Sequence, residues 1–186
     1  MNSTRIGVSV ILSIVFVAAL SFVSEAQAAP FTEASMRLDR MKVSITDNDI
    51  LIVAKPATTA TEDHTDIVFS AGFGVDSTAS NITVTTTGIP STYQGESLTA
   101  WPGIGTEASG VSGQVVTVDS DDLTPGTLYG FLITAGIDNP GSPGSDLVQV
   151  IRTETGANAE IDSSSIAVAV ISEDQITISA TVPPTF

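Results

Sequence analysis

Between Met41 and Val182 the apolar residues recur at every second position and nowhere at helical spacing over three turns. MKVSI, DILIVAK, DIVFSA, NITVTTT, QVVTVD, TLYGFLITA, DLVQVIRT, SIAVAVI and QITISATV are short runs rich in Val, Ile and Thr. Gly, Pro, Ser, Asn or Asp interrupts them about every ten residues, as turns between strands do. A strand patterned this way has one apolar face, and that face must be buried against another layer. The sequence therefore predicts an all-β fold, a sandwich or barrel of roughly eight to ten strands.

The first 28 residues follow another rule. MNSTR is a short basic start, Ile6 to Val23 is an unbroken apolar run, and SEAQA places Ala26 and Ala28 as an A-x-A cleavage site. Residues 1–28 read as a secretory signal peptide, with cleavage before Ala29. The competing reading keeps residues 6–23 as a membrane anchor, because such a run nearly spans a bilayer. Both readings predict a secreted or cell-surface protein. Residues 29–182 then form a single β-sandwich domain with an N-terminal strand extension. Residues 183–186, after a Pro-Pro step, read as a linker to a following domain.

Six basic residues face 21 acidic ones, and the signal holds one of each, so the remainder keeps a net charge of −15. A surface like this repels nucleic acid and anionic lipid, which are bound by neutralising phosphate with Lys and Arg. It also attracts divalent cations. There is no cysteine, which excludes disulfides, thiol catalysis and Cys-ligated zinc. About 158 residues are enough for an unaided core.

In DDLTPGTLYGFLITA the residues Tyr129, Phe131, Ile133 and Ala135 form an inward row, against Leu128, Leu132 and Thr134 on the other side. Tyr129 opens that row just after the Pro125-Gly126 turn, where its hydroxyl can return to a backbone group upstream. Leu123, Pro125, Thr127, Tyr129, Phe131, Ile133 and Ala135, a Gly/Pro loop and then VQVIRT resemble the E–F–G portion of a fibronectin type III domain. The resemblance covers residues about 115–153. It implies an immunoglobulin- or fibronectin-like Greek-key sandwich, with Tyr129, Leu123 and Pro125 as structural residues of a tyrosine corner. Trp101 lies in a Gly-rich stretch, not in the early strand where that family keeps its core tryptophan. ASMRLDRMK, AKPATTATE, STASNITVTTTGIP, TAWPG and ITISATVPPTF are also similar to stretches of uncharacterised exported surface proteins of ultrasmall candidate-phyla bacteria. That likeness implies a cell-surface setting and no catalytic residue.

Three stretches read as loops: the acidic 58–65, the Gly-rich 91–113 and an exposed hairpin loop over 136–145. His64, the only histidine, falls in the first and reads as a solvated loop residue. A Ser-His-Asp triad would need it together with a nucleophile turn such as G-x-S-x-G, which is absent, and one histidine is too few for mononuclear zinc. Paired carboxylates would suffice for a secreted glycoside hydrolase, but aromatics to line a sugar cleft are scarce.

Asp119, Asp121 and Asp122 are candidate calcium ligands, as are Asp47 and Asp49 around Asn48. Extracellular modules hold calcium through loop oxygens, although neither stretch fits the EF-hand loop. Trp101 and Tyr93 are candidate glycan contacts, the competing reading being that Trp101 caps the end of the core. Asn81-Ile82-Thr83 fits the glycosylation sequon and carries little weight in a chain of bacterial look.

The expectation is a non-enzymatic structural or adhesive surface module acting through sheet edges and loops, with other surface proteins or copies of itself as partners and no nucleic acid. The alternative is a glycan- or calcium-dependent binding module, and the third reading is a hydrolase. Arg37, Arg40 and Lys42 make the first strand basic. It pairs either within its own sheet or by addition to a neighbour's edge, and its own sheet is the preferred reading.

Overall fold

The computed structural model describes residues 28–174; the expected signal peptide up to residue 27, the run QITISATV and the expected linker at 183–186 lie outside the described residues. The strands are β1 (Glu33–Leu38), β2 (Ile50–Lys55), β3 (His64–Val68), β4 (Gly74–Val75), β5 (Val84–Thr85), β6 (Thr92–Tyr93) and β7 (Glu96–Ser97). They continue with β8 (Thr99–Ala100), β9 (Gly110–Ser112), β10 (Val115–Asp119), β11 (Tyr129–Ile133), β12 (Ile137–Asp138), β13 (Gly144–Glu154) and β14 (Glu160–Val170). Among the described residues the one helical element is a 3-10 turn at Ala79–Asn81. The chain is all-β.

Two five-stranded sheets carry the fold. The first runs β1-β2-β11-β5, with β8 added parallel to the start of β11. The second runs β14-β13-β3-β10-β9, antiparallel throughout. Ile50, Ile52 and Ala54 of β2 and Tyr129, Phe131 and Ile133 of β11 share one apolar core with Ile67, Val116, Val118 and Ile151 of the second sheet. Burying each Ile or Phe contributes about 1.5–3 kcal/mol. β1 pairs with β2 from Glu33↔Lys55 to Leu38↔Ile50, so the basic N-terminal strand lies in its own sheet.

The alternation in β11 holds, but its outward row is not solvated. Leu128 and Leu51 are each only 2% exposed. They form a second apolar cluster with Val53 and Leu98, packed by Ile89, Tyr93 and Leu132. A strap over residues 89–98, containing the β6-β7 hairpin, covers the outer face of the first sheet. Its tip uses positive φ at Gln94 (50°) and Gly95 (90°), the geometry of a tight two-residue hairpin turn. A sheet apolar on both faces explains why β2 reads ILIVAK with hardly a polar break. The stretch 91–113 is thus no single loop; it holds β6 to β9.

The stretch 136–145 corrects another expectation. β11 and β13 lie in different sheets, so the segment between them crosses the sandwich and is not an exposed hairpin loop. Ile137 and Asn139 are buried there, and β12 pairs with β4. Asn139 Nδ2 donates to Arg40 O (2.8 Å) and Lys42 O (2.7 Å), and Asn48 Nδ2 donates to Asn139 Oδ1 (3.0 Å). This buried amide pair satisfies backbone carbonyls at a closed end of the core, where an unpaired one would be costly.

Candidate functional site

At one end of the sandwich the β10–β11 corner folds over Tyr129. The Thr124 N–H donates to Tyr129 Oη at 3.2 Å, and Gly126 N–H donates to Pro56 O at 3.0 Å. Leu123 is buried beneath the turn and Pro125 is half-buried.

Trp101 lies under the same corner. It is 1% exposed, its Nε1–H donates to Ser120 Oγ at 2.9 Å, and it meets Phe131 edge-on at 5.5 Å between ring centroids. An indole so enclosed has no face for a sugar, which corrects the glycan-contact expectation for Trp101. Tyr93 sits on the other side of the first sheet, half-buried in the strap, with Oη 2.7 Å from Ser35 Oγ. It lines a pocket of about 150 Å³ with Glu33, Ser35, Gln94 and Leu128. The sheet separates the two rings, so they cannot act on one ligand.

Asp119, Asp121 and Asp122 are exposed around the corner. Among the described residues no three His, Cys, Asp or Glu side chains are grouped closely enough to hold a metal ion by themselves. Asp47 is used locally: its Oδ1 accepts Gly136 N–H at 2.8 Å, while its own N–H donates to Asp138 Oδ1 at 2.9 Å. Asp49 is exposed, and Asn81 donates its side-chain amide to Asp76 Oδ2 at 3.0 Å.

A carboxylate the sequence did not single out is the unusual one. Glu62 is 3% exposed, and its Oε2 accepts Leu123 N–H at 2.9 Å. Its Oε1 is buried without a hydrogen-bond partner. Burial pushes the Glu62 carboxyl above the ordinary glutamate value, the Leu123 bond opposes that rise, and Asp122 beside it adds to it. Nothing in TTATEDHT marks Glu62 from its neighbours, because its burial depends on a corner some sixty residues away.

His64 is likewise not a solvated loop residue. It opens β3, its side chain is 12% exposed, and each ring nitrogen lies 3.3 Å from a carboxylate, Asp63 Oδ2 or Glu154 Oε2. With carboxylates on both nitrogens, the ring holds no serine in a nucleophile arrangement. Next to it on the outer face of the second sheet, Arg152 Nη2 donates to Asp66 Oδ2 at 2.7 Å, and Thr117 Oγ1 donates to Asp66 Oδ1 at 2.6 Å. This ladder ties β10, β3 and β13 side by side, and the Asp66 bond holds the guanidinium above its usual value.

The remaining feature is an edge. Among the described residues β14 is the outermost strand of the second sheet, and the N-terminal segment is hydrogen-bonded to its free side at the two ends, while β1 packs against it from the other sheet. Ala29 N–H donates to Ile161 O (3.1 Å), and Ala29 O accepts from Ser163 N–H (2.8 Å). At the far end Ile171 N–H donates to Met41 O (2.7 Å), and Val43 N–H to Ile171 O (2.9 Å). Between these clamps the segment leaves β14 to run as β1 in the other sheet. A groove of about 230 Å³ opens there, lined by Met36, Arg37, Leu38, Met41 and Val168. Met41 is 47% exposed and Ile171 38%, both at one end of this groove.

No protein-family model, curated protein or solved structure matches the chain.

Proposed function

We propose that the chain is a non-enzymatic exported module of the cell surface, structural or adhesive, that works by contact through sheet edges and loops. The observation that carries this reading is the open edge of β14 with its apolar groove. Soluble domains ordinarily blunt such edges with charge, proline or a covering segment, and a partner strand can add to one left bare.

The strand order also supports the immunoglobulin-like Greek key. Taken along the chain, β1, β2, β3, β5, β11, β13 and β14 fall into the places of strands A to G, with A-B-E-D in one sheet and G-F-C in the other. This shifts the letters read from the fibronectin likeness by one. TLYGFLITA takes the E place and VQVIRT the F place, so Tyr129 sits on E. The glycan alternative rests on Tyr93 alone, with its 150 Å³ pocket.

Protease shaving of intact source cells, with mass spectrometry of the released peptides, tests the reading. Surface-derived peptides and a mature start at Ala29 support it. A chain kept inside the cell with Met1 intact overturns it.

A further inference from the structure

We infer that the bare edge of β14 receives an extended peptide strand from a partner protein, apolar at alternate positions and acidic between them. The inference deepens the surface-module reading and rests on it for where the partner is met.

The backbone supplies the first argument. Ile161 O, Ser163 N–H and both polar groups of Ile171 point to the free side of β14. By the two-residue repeat, the N–H and C=O groups of Ser165, Ala167 and Ala169 point the same way. These groups repeat at strand spacing along the window 163–169, about 20 Å long, and another extended backbone is what matches them. No residue from Ser163 to Ile171 is charged or proline, and among the described residues no strand is paired with the free side between the two clamps.

The groove supplies the second argument. Met36, Leu38 and Val168 form an apolar floor, and Met41 is half in solvent at its end. Alternate side chains of an incoming strand would fall on that floor. Charge supplies the third. Arg37 is exposed on the lip, with Arg40 and Lys42 next along the chain, whereas the protein as a whole carries −15. Asp174 and Glu173 already engage Arg40 and Lys42, which leaves Arg37 as the cation facing the groove. Complementarity therefore favours acidic residues on the incoming strand.

A second copy is a poor occupant. Its own β14 edge carries the same two clamps, and in an antiparallel pairing its Ala29 would meet the place held by Met41–Val43.

The probes are two synthetic peptides, acetyl-Gly-Ser-Val-Glu-Val-Glu-Val-Ser-Gly-amide and its counterpart with Lys for Glu. Titration calorimetry and residue-resolved amide exchange on the purified protein are the readouts. The acidic peptide should bind saturably and slow exchange at Ser165, Ala167 and Ala169, and the Lys peptide should bind roughly tenfold or more weakly. Ala167→Pro removes one outward N–H without touching the pairing with β13, so it should abolish binding and keep the fold. Should that variant not fold, Arg37→Glu carries the test, because it should reverse the preference between the two peptides.

Equal affinity for both peptides, protection elsewhere, or no saturation up to roughly millimolar peptide overturns the inference. So does self-association of the free protein that Ala167→Pro removes, since a second copy would then be the occupant. Failure here with surface exposure intact rejects the partner strand alone; absent surface exposure rejects the broader reading.

Discussion

The backbone N–H of Thr124 donates to the hydroxyl of Tyr129 at 3.2 Å, so one side chain fills the core and fastens the turn above it. Tyr129→Phe keeps the ring and leaves that donor without its partner, which should cost about 1–2 kcal/mol. Tyr129→Ala also opens a cavity and should cost about 3–5 kcal/mol. Urea midpoints of the two variants check the difference. A Tyr129→Phe protein as stable as the parent would mean that water replaces the hydroxyl at no cost.

Trp101 should behave as a core residue and not as a cap. Trp101→Phe loses ring volume, the edge-on contact with Phe131 and the bond to Ser120. The expected loss is on the order of 3 kcal/mol, larger than that of Tyr129→Phe. Denaturation followed by circular dichroism checks the ranking.

Glu62 gives stability a pH dependence of unusual sign. Its folded carboxyl lies above its ordinary value because burial, helped by Asp122, disfavours the charge. The unfolded chain releases this proton first, so the penalty is absent below the ordinary glutamate value. It grows as pH rises through that value toward the folded one, and persists above it. Glu62→Gln keeps an acceptor for Leu123 N–H and turns an amide toward Asp122. It should raise the urea midpoint at neutral pH and flatten the profile from the ordinary glutamate value upward. If the parent and variant profiles run parallel above the ordinary glutamate value, Glu62 does not carry the effect.

Gly130 keeps the strap seated. A Cβ there would stand 3.0 Å from Leu98 Cδ2 and 3.2 Å from Ile52 O, and the second neighbour is backbone that cannot yield freely. Gly130→Ala should cost about 1–3 kcal/mol by overpacking. Amide exchange should quicken in residues 89–98 before it does in β3 or β13. Uniform acceleration along the chain would show that strap and sandwich open as one unit.

The period-two pattern and the row Tyr129, Phe131, Ile133 were legible in the sequence because they depend on neighbours two residues apart. Leu128 and Leu132 were not. Their row looks like a solvent face unless one knows that residues 89–98 return to cover it, and no local rule reports a third layer. His64 and Glu62 failed similarly: both sit in a polar stretch, and partners 90 and 61 residues away bury them. The Pro-Gly-rich stretch 136–145 has the composition of a hairpin, and composition cannot tell a turn within one sheet from a crossing between two. Asn48 looked like part of an acidic turn because its partner Asn139 lies 91 residues distant.

The clamps on β14 have a mechanical consequence. Ala29 is fastened beside Ile161 and Ser163, whereas Asp174 is held by Arg40 just past the other end of the strand. A pull between Ala29 and Asp174 therefore runs along β14, lengthwise through the bonds at Ala29, at Met41 and Val43, and through the ion pairs of Arg40 and Lys42. Bonds loaded lengthwise share the force and must slip together, whereas bonds pulled apart from one end break in turn. The edge that offers itself to a partner is thus also the line along which tension would cross the domain, and a bound strand would add its own bonds to the same shear.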